Sequence, residues 1–462
     1  MSLWQFSLTP PRIEPGKLFA SLDTVIPPEL ITQAITQTPS QQRRQRSLPT
    51  HVVVVLVIAM SLWASDSVVD VFKNLISGIT SQWIRLCVRL KIPTSSSISE
   101  ARQRVGPAVM TRLFKLVARP LATAQTEGAF LGGLRLMAVD GTVFDVPDTE
   151  ANARVFGYPG TRQGTKAAFP KVRLVFLVEL GTHLLTDALL SPYRLGERKR
   201  ARLLLRSVGE GMLLMWDRGL HSFKMVQATL GRKCHILGRA PANVKFDVLE
   251  TFADGSYLSC IAPDRKSKKK GATPIKVRVI EYVIEENGAE QIYRLITDLV
   301  DITLFPALLL AQEYHNRWEA ENVLDELKTH LNGRSTPIRS KKPREVVQEI
   351  YGWLLAHFGL RCLMFRAASE AGISPLRLGF TGTLRVIRRA VSQFQQADDS
   401  ETPLFFSWLI LEILEHKIPL RQSRVNPRVI KKTRSKFPSA KPFHRGQGTQ
   451  RQQLSFAIFH AA

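Results

Sequence analysis

The sequence RLMAVDGTVFDVPD (135–148), followed by KVRLVFLVEL (171–180) and THLLTDALLSP (182–192), decides the fold. Apolar residues dominate each segment, and alternation with a period of two indicates β-strands rather than helices. Gly181 and Thr182 separate the last two segments, which predicts a hairpin. Three consecutive strands are therefore expected from about residue 134.

Helices and strands alternate after these three strands. The predicted order is a basic helix over 197–208, a strand in GMLLMWDRG (211–219), a helix ended by Gly231 and a strand in CHILGRA (234–240). Four more strand-like segments between 246 and 297 are typical of a small antiparallel β unit, placed as an insertion before the next helix. The expected fold class is an α/β protein with a mixed sheet and a β insertion at about 246–300.

Helical patterns lie on both sides of this sheet. Pro28 suits a helix start, and Ser97 and Glu100 have the spacing of a capping box. The predicted organisation is an extension (1–23), an N-terminal helical domain (24–130), a core that contains the sheet (131–340), a C-terminal helical region (341–420) and a basic tail (421–462).

The chain is strongly basic. Its 462 residues include 64 Lys and Arg against 39 Asp and Glu, a formal charge of +25. Such an excess indicates a polyanionic partner, either nucleic acid or an anionic membrane surface. The longest apolar run, from Val52 to Ala64, is too short to cross a bilayer, which takes about 20 helical residues.

The N-terminal residues lack the pattern of a secretion signal, so a cytoplasmic protein is expected. The four cysteines are far apart and include no CxxC pair, which disfavours both a zinc knuckle and a disulfide framework.

Three basic stretches are candidates for phosphate contact. They are the connector Arg43-Arg44-Gln45-Arg46, the turn Asp264 to Lys270 with five cations in seven residues, and the tail 421–462 with ten Lys or Arg and no acidic residue. Each could instead be a solvated segment. The basic total favours contact with phosphates.

Two aspartates follow apolar strands. Asp140 ends the first apolar strand and is followed by Gly141, and Asp217 follows the apolar strand MLLMW, ahead of Arg218, Gly219 and a helix. An aspartate before glycine is usually a turn former, so either one alone is a weak signal. Together they place two carboxylates near strand ends, where α/β sites collect.

A later helix adds a stripe of functional side chains, namely Tyr314, Arg317, Glu321 and Lys328. At 100° per residue these four lie within an arc of about 60°. Glu319 and Glu326 fall on the other side, at about 140° and 120° by the same geometry, where a solvated face is expected. Asp325, at about 20°, shares the stripe and is the rival to Glu321.

Two strand-end aspartates and a helix glutamate are the ligands that a two-metal phosphoryl-transfer site needs. Carboxylate oxygens hold two Mg²⁺ or Mn²⁺ about 3.5–4 Å apart, where they activate the attacking oxygen and stabilise the leaving one. The sequence contains no HExxH, P-loop or GxSxG motif. Metal-dependent cleavage or transfer at phosphates is therefore the favoured chemistry.

These motifs resemble those of a known family. AVDGTVFDVPDTEAN from Ala138, WDRG from Trp216 and above all Tyr-x2-Arg-x3-Glu-x6-Lys from Tyr314 are similar to the DDE transposases of bacterial insertion sequences, in particular the IS4 family. The resemblance extends to the N-terminal helices and to NPRVIKKTRSKFP in the tail. It implies a ribonuclease H-like core with a β insertion.

The resemblance also implies roles for individual residues. Asp140, Asp217 and Glu321 would be the catalytic, metal-binding triad, with Tyr314, Arg317 and Lys328 contacting DNA phosphates. In the best-studied branch of the family a Trp of the β insertion stacks on a flipped base. This chain has no Trp between Trp216 and Trp318, and Tyr293 occupies the matching place as the expected DNA-binding ring. Equally, Tyr293 could be a core aromatic.

The expected function is that of a cut-and-paste transposase. It would bind the terminal inverted repeats of its element as double-stranded DNA, cleave there through a hairpin, and join the 3′ ends to target DNA with two Mg²⁺ or Mn²⁺. A homodimer would hold two ends together, with no membrane partner. The alternatives are an inactive DNA-binding derivative, a nuclease of the same fold that never joins, and a membrane-surface protein.

Overall fold

A computed structural model describes residues 20–40, 48–79, 92–159, 167–286, 289–333, 337–398 and 400–419, together with three short strands of the tail. The connector from Arg43 to Arg46 lies outside the described residues. The same holds for the remainder of 421–462, so the DNA contacts expected of both segments stay predictions.

One sheet of eleven strands forms the centre of the molecule. The strands of the chain are β1 (Phe130–Leu131), β2 (Leu134–Asp145), β3 (Lys171–Glu179), β4 (Leu184–Pro192), β5 (Met212–Trp216), β6 (His235–Arg239), β7 (Glu250–Thr251), β8 (Tyr257–Ile261), β9 (Ile275–Glu286), β10 (Ala289–Thr297), β11 (Val429–Ile430), β12 (Ser439–Ala440) and β13 (Phe456–Ile458).

The strand order of the large sheet is β4-β3-β2-β5-β6-β10-β9-β8-β7, with β1 beside β2 and β13 beside β9. β2, β3 and β4 form the predicted antiparallel meander. β5 and β6 run parallel to β2. The mixed α/β sheet predicted from the sequence is therefore confirmed.

The β insertion continues this sheet. Strand β10 pairs antiparallel with β6, with Ile296 opposite Gly238, and β9, β8 and β7 follow outward. The four strand-like segments are thus an extension of the core sheet at its edge, where the unpaired backbone of β6 would otherwise be exposed.

Helices cover both faces of the sheet. They are α1 (Ala20–Asp23), α2 (Pro28–Thr36), α3 (Thr50–Leu62), α4 (Val68–Leu75), α5 (Ser95–Val105), α6 (Ala108–Val117), α7 (Glu150–Phe156), α8 (Glu197–Leu204), α9 (Phe223–Leu230), α10 (Arg265–Lys268), α11 (Ala307–Asn316), α12 (Glu319–Asp325), α13 (Pro343–Glu370), α14 (Phe380–Gln396) and α15 (Thr402–Leu414).

Alternate residues of β2 belong to two different cores. Leu136 and Ala138 pack with the N-terminal helices α1 to α6 and with α11 to α15. Met137 and Val139 pack with α8 and α9. We call the two sides of the sheet the N-terminal face and the α8 face.

Helix α3 is apolar on all sides because it is buried on all sides, from Val52 to Leu62. The interpretation of this run as a buried helix is confirmed. In the described part of the chain, no helix combines the length and apolarity that crossing a bilayer requires.

Candidate active site

Asp140 lies inside β2, not at its end as the sequence suggested. Strand β2 pairs with β3 as far as Asp145, but with β5 only as far as Ala138. Asp140 therefore follows the point where β2 and β5 separate. By the period of two, its side chain faces the same way as Ala138, toward the N-terminal face.

Most of the Asp140 carboxyl group is buried. Its side chain is 17% exposed, and burial raises its pKa to about 6. Asp217 and Glu197 act in the same direction, while a hydrogen bond from the Gly141 N–H and the charge of Arg317 oppose them. A further cation near Asp140 would offset this repulsion.

Asp217 directly follows β5, as predicted. Its Oδ1 accepts hydrogen bonds from the N–H groups of Gly219, at 3.1 Å, and Leu220, at 3.2 Å. The preceding residue is held by Tyr314, whose hydroxyl donates to the Trp216 carbonyl at 3.3 Å. Turn and strand end together fix the position of the Asp217 carboxylate.

The helix that carries the signature is not the single regular helix predicted. Between α11 and α12 the backbone bonds tighten to i→i−3, with the N–H groups of Arg317 and Trp318 donating to Tyr314 and His315. After α12 the chain widens into a π-helix, Glu326–Leu331. Each change shifts the phase of the side chains, so the uniform 100° arithmetic does not hold along the segment.

Arg317 joins the carboxylates of the site. Its side chain is only 8% exposed, and its guanidinium lies 3.8 Å from Asp140 Oδ2 and 3.5 Å from Glu321 Oε1. The rival Asp325 instead accepts from Thr329 at 2.6 Å and pairs with His330 at 3.3 Å. Arg317 thus connects Glu321 to Asp140, and Asp325 has separate partners.

Two members of the predicted DNA-binding stripe point into the protein. Tyr314 is 1% exposed, and its hydroxyl donates a hydrogen bond to the Trp216 carbonyl. In this position the hydroxyl does not face a DNA phosphate. Lys328 is half-buried, with Nζ 5.6 Å from the centre of the Phe144 ring, and its charge acts on Asp140. Of the pair, Lys328 is the one that borders the site.

The sequence misplaced the solvated side of this helix. The side opposite the stripe packs against the β3–β4 hairpin and α13, where it forms a buried ionic cluster. The members of this cluster are His183, Glu319, Glu326, His357 and Arg361. Glu326 is 6% exposed, and both of its oxygens accept from Arg361, which is also buried.

The two histidines of the buried ionic cluster are neutral near pH 7. Burial lowers the pKa of His183 to about 4 and that of His357 to about 3. Burial also lowers the pKa of Arg361, to about 9, which leaves it charged. The charged groups inside the cluster are therefore Arg361 and the two glutamates.

Tyr293 lies in the core, which disagrees with the expected stacking on a flipped base. Its ring is 6% exposed, stacks beside Tyr282 at 5.3 Å between centres, and is covered by the Arg239 guanidinium at 3.8 Å. A base could reach this ring only by displacing Arg239. The packing favours the alternative of a core aromatic.

Tyr293→Ala should therefore lower the free energy of unfolding by about 3 kcal/mol, as removal of a buried aromatic ring does. The nicking and hairpin formation expected from the sequence should then fall together as the protein loses stability, which thermal melting and a gel assay would measure. Tyr293→Phe keeps the stacked ring and should melt near wild type. A variant Tyr293→Ala that melts normally but fails only at hairpin formation would restore the base-stacking role.

Glu197 is a fourth carboxylate of the site that the sequence reasoning missed. It opens α8, receives a hydrogen bond from Arg173 at 2.8 Å, and lies against Gly141, where a Cβ would meet Glu197 Oε1 at 2.5 Å. Gly141 is therefore not a turn residue; its missing side chain makes room for Glu197. The available signal was one acidic residue at the start of the basic helix ERKRARLL.

The donors of the site suit a hard divalent cation. Asp140, Asp217 and Glu321 offer carboxylate oxygens, which such ions prefer. The pKa of Asp140 is raised mainly by burial, and the charges of Asp217 and Glu197 add to this effect. Among the described residues, no three acidic, His or Cys side chains come close enough to hold an ion together. The chemistry of the donors fits a metal ion, and Arg317 stands between two of them.

Comparison with known proteins defines the class. Residues 131–358, which contain the whole site, match the family model described as "Transposase DDE domain". Residues 17–115 match the model "Insertion element 4 transposase N-terminal". The domain that contains the candidate site is thus a DDE transposase domain on a ribonuclease H-like core, and the class is one of nucleic-acid-processing enzymes that use divalent metal ions.

Individual relatives agree. The chain is 27% identical over 426 residues to "Transposase InsG for insertion sequence element IS4" of Escherichia coli (strain K12), covering 91% of this chain and 93% of that protein. It is 28% identical to "Putative transposase InsZ" of the same organism, covering 49% of this chain and 73% of that one. The chain belongs to the IS4 family of DDE transposases.

A distant likeness to a solved structure was also found. The match is to the cryo-EM structure of a piggyBac transposase synaptic complex with hairpin DNA. The aligned region spans 88% of this chain and 87% of that chain, with a TM-score of 0.41 and 10% identity.

Proposed function

We propose that the chain binds the terminal inverted repeats of its own insertion sequence, cleaves there through a hairpin, and joins the 3′ ends to target DNA. Asp140, Asp217 and Glu321 hold two Mg²⁺ or Mn²⁺ in this proposal. When bound, the ions supply activation of the attacking oxygen and stabilisation of the leaving 3′ oxygen. The supporting observation is the Arg317 guanidinium, which contacts Asp140 and Glu321 together.

In this proposal, the other residues of the site neutralise negative charge and position the carboxylates. Arg317 and Lys328 bring positive charge beside the carboxylates, where the phosphates of a transposon end would lie. Tyr314, through the Trp216 carbonyl, holds the strand end that presents Asp217. Tyr314 would then act on DNA indirectly, as a positioning residue.

The domain layout is part of the proposal. Residues 24–130 contribute preference for the element's own ends, residues 131–340 perform the chemistry, and the tail 421–462 adds phosphate contacts. Two protomers bring two ends together, which is the homodimer expected of a synaptic complex. The N-terminal helices share a core with α11 and α12. In this proposal the helices that bind the transposon end therefore pack directly against the helices that carry Arg317 and Glu321.

The test is an assay with purified protein, inverted-repeat duplexes from the DNA that flanks the coding region, and Mg²⁺. Cleavage of flanked ends and joining of pre-cleaved ends to a target plasmid are both expected. Cleavage without joining would identify a nuclease, and end binding with neither activity would identify an inactive derivative. Full activity in EDTA would contradict the metal-dependent mechanism.

Asp140→Asn should stabilise the metal-free protein above pH 6. The folded pKa of Asp140, about 6, exceeds the ordinary value of 3.8, so the carboxylate costs stability once both states are deprotonated. The gain should be at most about 3 kcal/mol at pH 8 and should vanish below about pH 3, where both states are protonated. Melting in EDTA across this range measures it. Added Mg²⁺ should then stabilise wild type more than the variant, and an equal gain in both would argue against metal at Asp140.

A further inference from the structure

A series of basic side chains leads away from the active site along the α8 face. Arg198 of α8 donates from Nε to the Gly219 carbonyl at 2.5 Å, in the turn that follows Asp217. One helical turn further, Arg202 borders a shallow cleft with Lys224 of α9 and Lys270 of the turn after β8. We call these four residues and the exposed cations of the Arg265–Lys270 turn the basic tract.

The charges of the basic tract are largely uncompensated. Lys224 pairs with Asp264 at 3.4 Å. In the part of the chain that the structure describes, Arg198, Arg202 and Lys270 have no carboxylate within 4.0 Å, and the cations from Arg265 to Lys269 have none either. The nearest acidic residue of α8, Glu197, is engaged by Arg173. Such a surface suits a phosphate backbone, whose binding releases counterions.

The basic tract and the N-terminal helices approach the site from different sides. Helices α8 and α9 pack on the α8 face through residues such as Ala201 and Val226. The N-terminal helices pack on the opposite face. A duplex held by the N-terminal helices would therefore reach Asp140 and Glu321 from the N-terminal face and leave the basic tract free.

We propose that the basic tract binds the backbone of the target DNA and leads it to the carboxylates. This inference rests on the proposed function, because joining requires a second duplex at the same site. In the proposed function, the first duplex is the transposon end, and the N-terminal helices bind it. The second needs a cationic surface that ends at Asp217, and Arg198 places the end of the basic tract there.

The test uses the full chain with Arg202→Ala and Lys270→Ala combined. Neither residue contacts the Asp140, Asp217 and Glu321 carboxylates, and both lie at the cleft surface, so the variant should melt near wild type. The matched control combines Lys233→Ala and Arg366→Ala, which removes the same charge from exposed ion pairs outside the basic tract.

Three quantities should be measured on pre-assembled complexes: binding of transposon-end duplex, cleavage of flanked ends, and capture of a labelled target duplex by pre-cleaved ends. The variant in the basic tract should capture target about tenfold less well at 0.15 M salt. Its slope of log K against log salt for target should fall by about 2, since each lost phosphate contact contributes about 0.9. The variant in the basic tract should keep the end binding and cleavage of wild type. The control variant should match wild type in all three quantities.

Other outcomes separate the two proposals. Equal loss of end binding and target capture would mean that the basic tract holds the transposon end. Normal target capture by the variant would remove the basic tract from DNA binding altogether. If wild type itself failed to join pre-cleaved ends, the proposed function would be wrong, whatever the result for the variant in the basic tract.

Discussion

Asp140→Asn, Asp217→Asn and Glu321→Gln should each reduce strand cleavage and joining by about 10³-fold. In the proposed mechanism these carboxylates are metal ligands, so loss of one removes charge stabilisation of several kcal/mol from the transition state. About 4 kcal/mol corresponds to that factor. In the Asp217→Asn variant the side-chain amide oxygen can still accept from Gly219 and Leu220, so the turn should persist. End binding should therefore survive, as gel-shift titration would show, because the proposed role of these carboxylates is to hold metal ions rather than to position the duplex.

The matched control for Glu321 is Asp325→Asn. Asp325 lies one turn later on the same helix and is similarly exposed, but its partners are Thr329 and His330. We expect cleavage and joining by this variant to stay within about twofold of wild type, as for exposed groups outside a site. Retained activity in Glu321→Gln together with loss in Asp325→Asn would reverse the assignment of the third carboxylate.

The strands could be predicted from the sequence because their determinants are local. Apolar alternation and the Gly181-Thr182 turn define β2, β3 and β4, and the same logic defines β5 and β6. The short helix α7 was missed. It begins where the Thr149 side chain accepts from the Asn152 N–H, and seven residues give too little periodicity to detect.

The site could be predicted only in part, because its geometry depends on contacts distant in sequence. The residues Asp140, Asp217 and Glu321 are visible as motifs. The approach of Glu197 to Gly141 is not, since it depends on how α8 packs across β2. The directions of the side chains along this helix were also not predicted. The tightened turn at Arg317 and the π-helix at Glu326 depend on packing against neighbouring elements, which the local sequence pattern does not show.

The buried ionic cluster gives a reason for that helical form. Glu319 and Glu326 lie on either side of the segment that carries Glu321, and both are tied to the hairpin residue His183. Arg361 and His357 of α13 add further bonds to Glu326, at 3.0 Å and 2.7 Å. The backbone on both sides of Glu321 is thus fastened to two other elements, which fixes the side of the helix that faces Asp140.

Glu326→Gln should lower the free energy of unfolding by about 3–5 kcal/mol, because Arg361 would keep its charge in the interior without its main carboxylate. Joining should also slow at temperatures where the variant is folded, since the helix would lose its fixed rotation. Glu319→Gln is the matched control: its carboxylate is 34% exposed and makes single bonds to His183 and Asn322, so a loss of about 1 kcal/mol is expected. Chemical denaturation of both variants measures the difference. Equal, small losses would mean that water or a shift of Arg361 satisfies the cluster, and the helix would then owe its position to apolar packing alone.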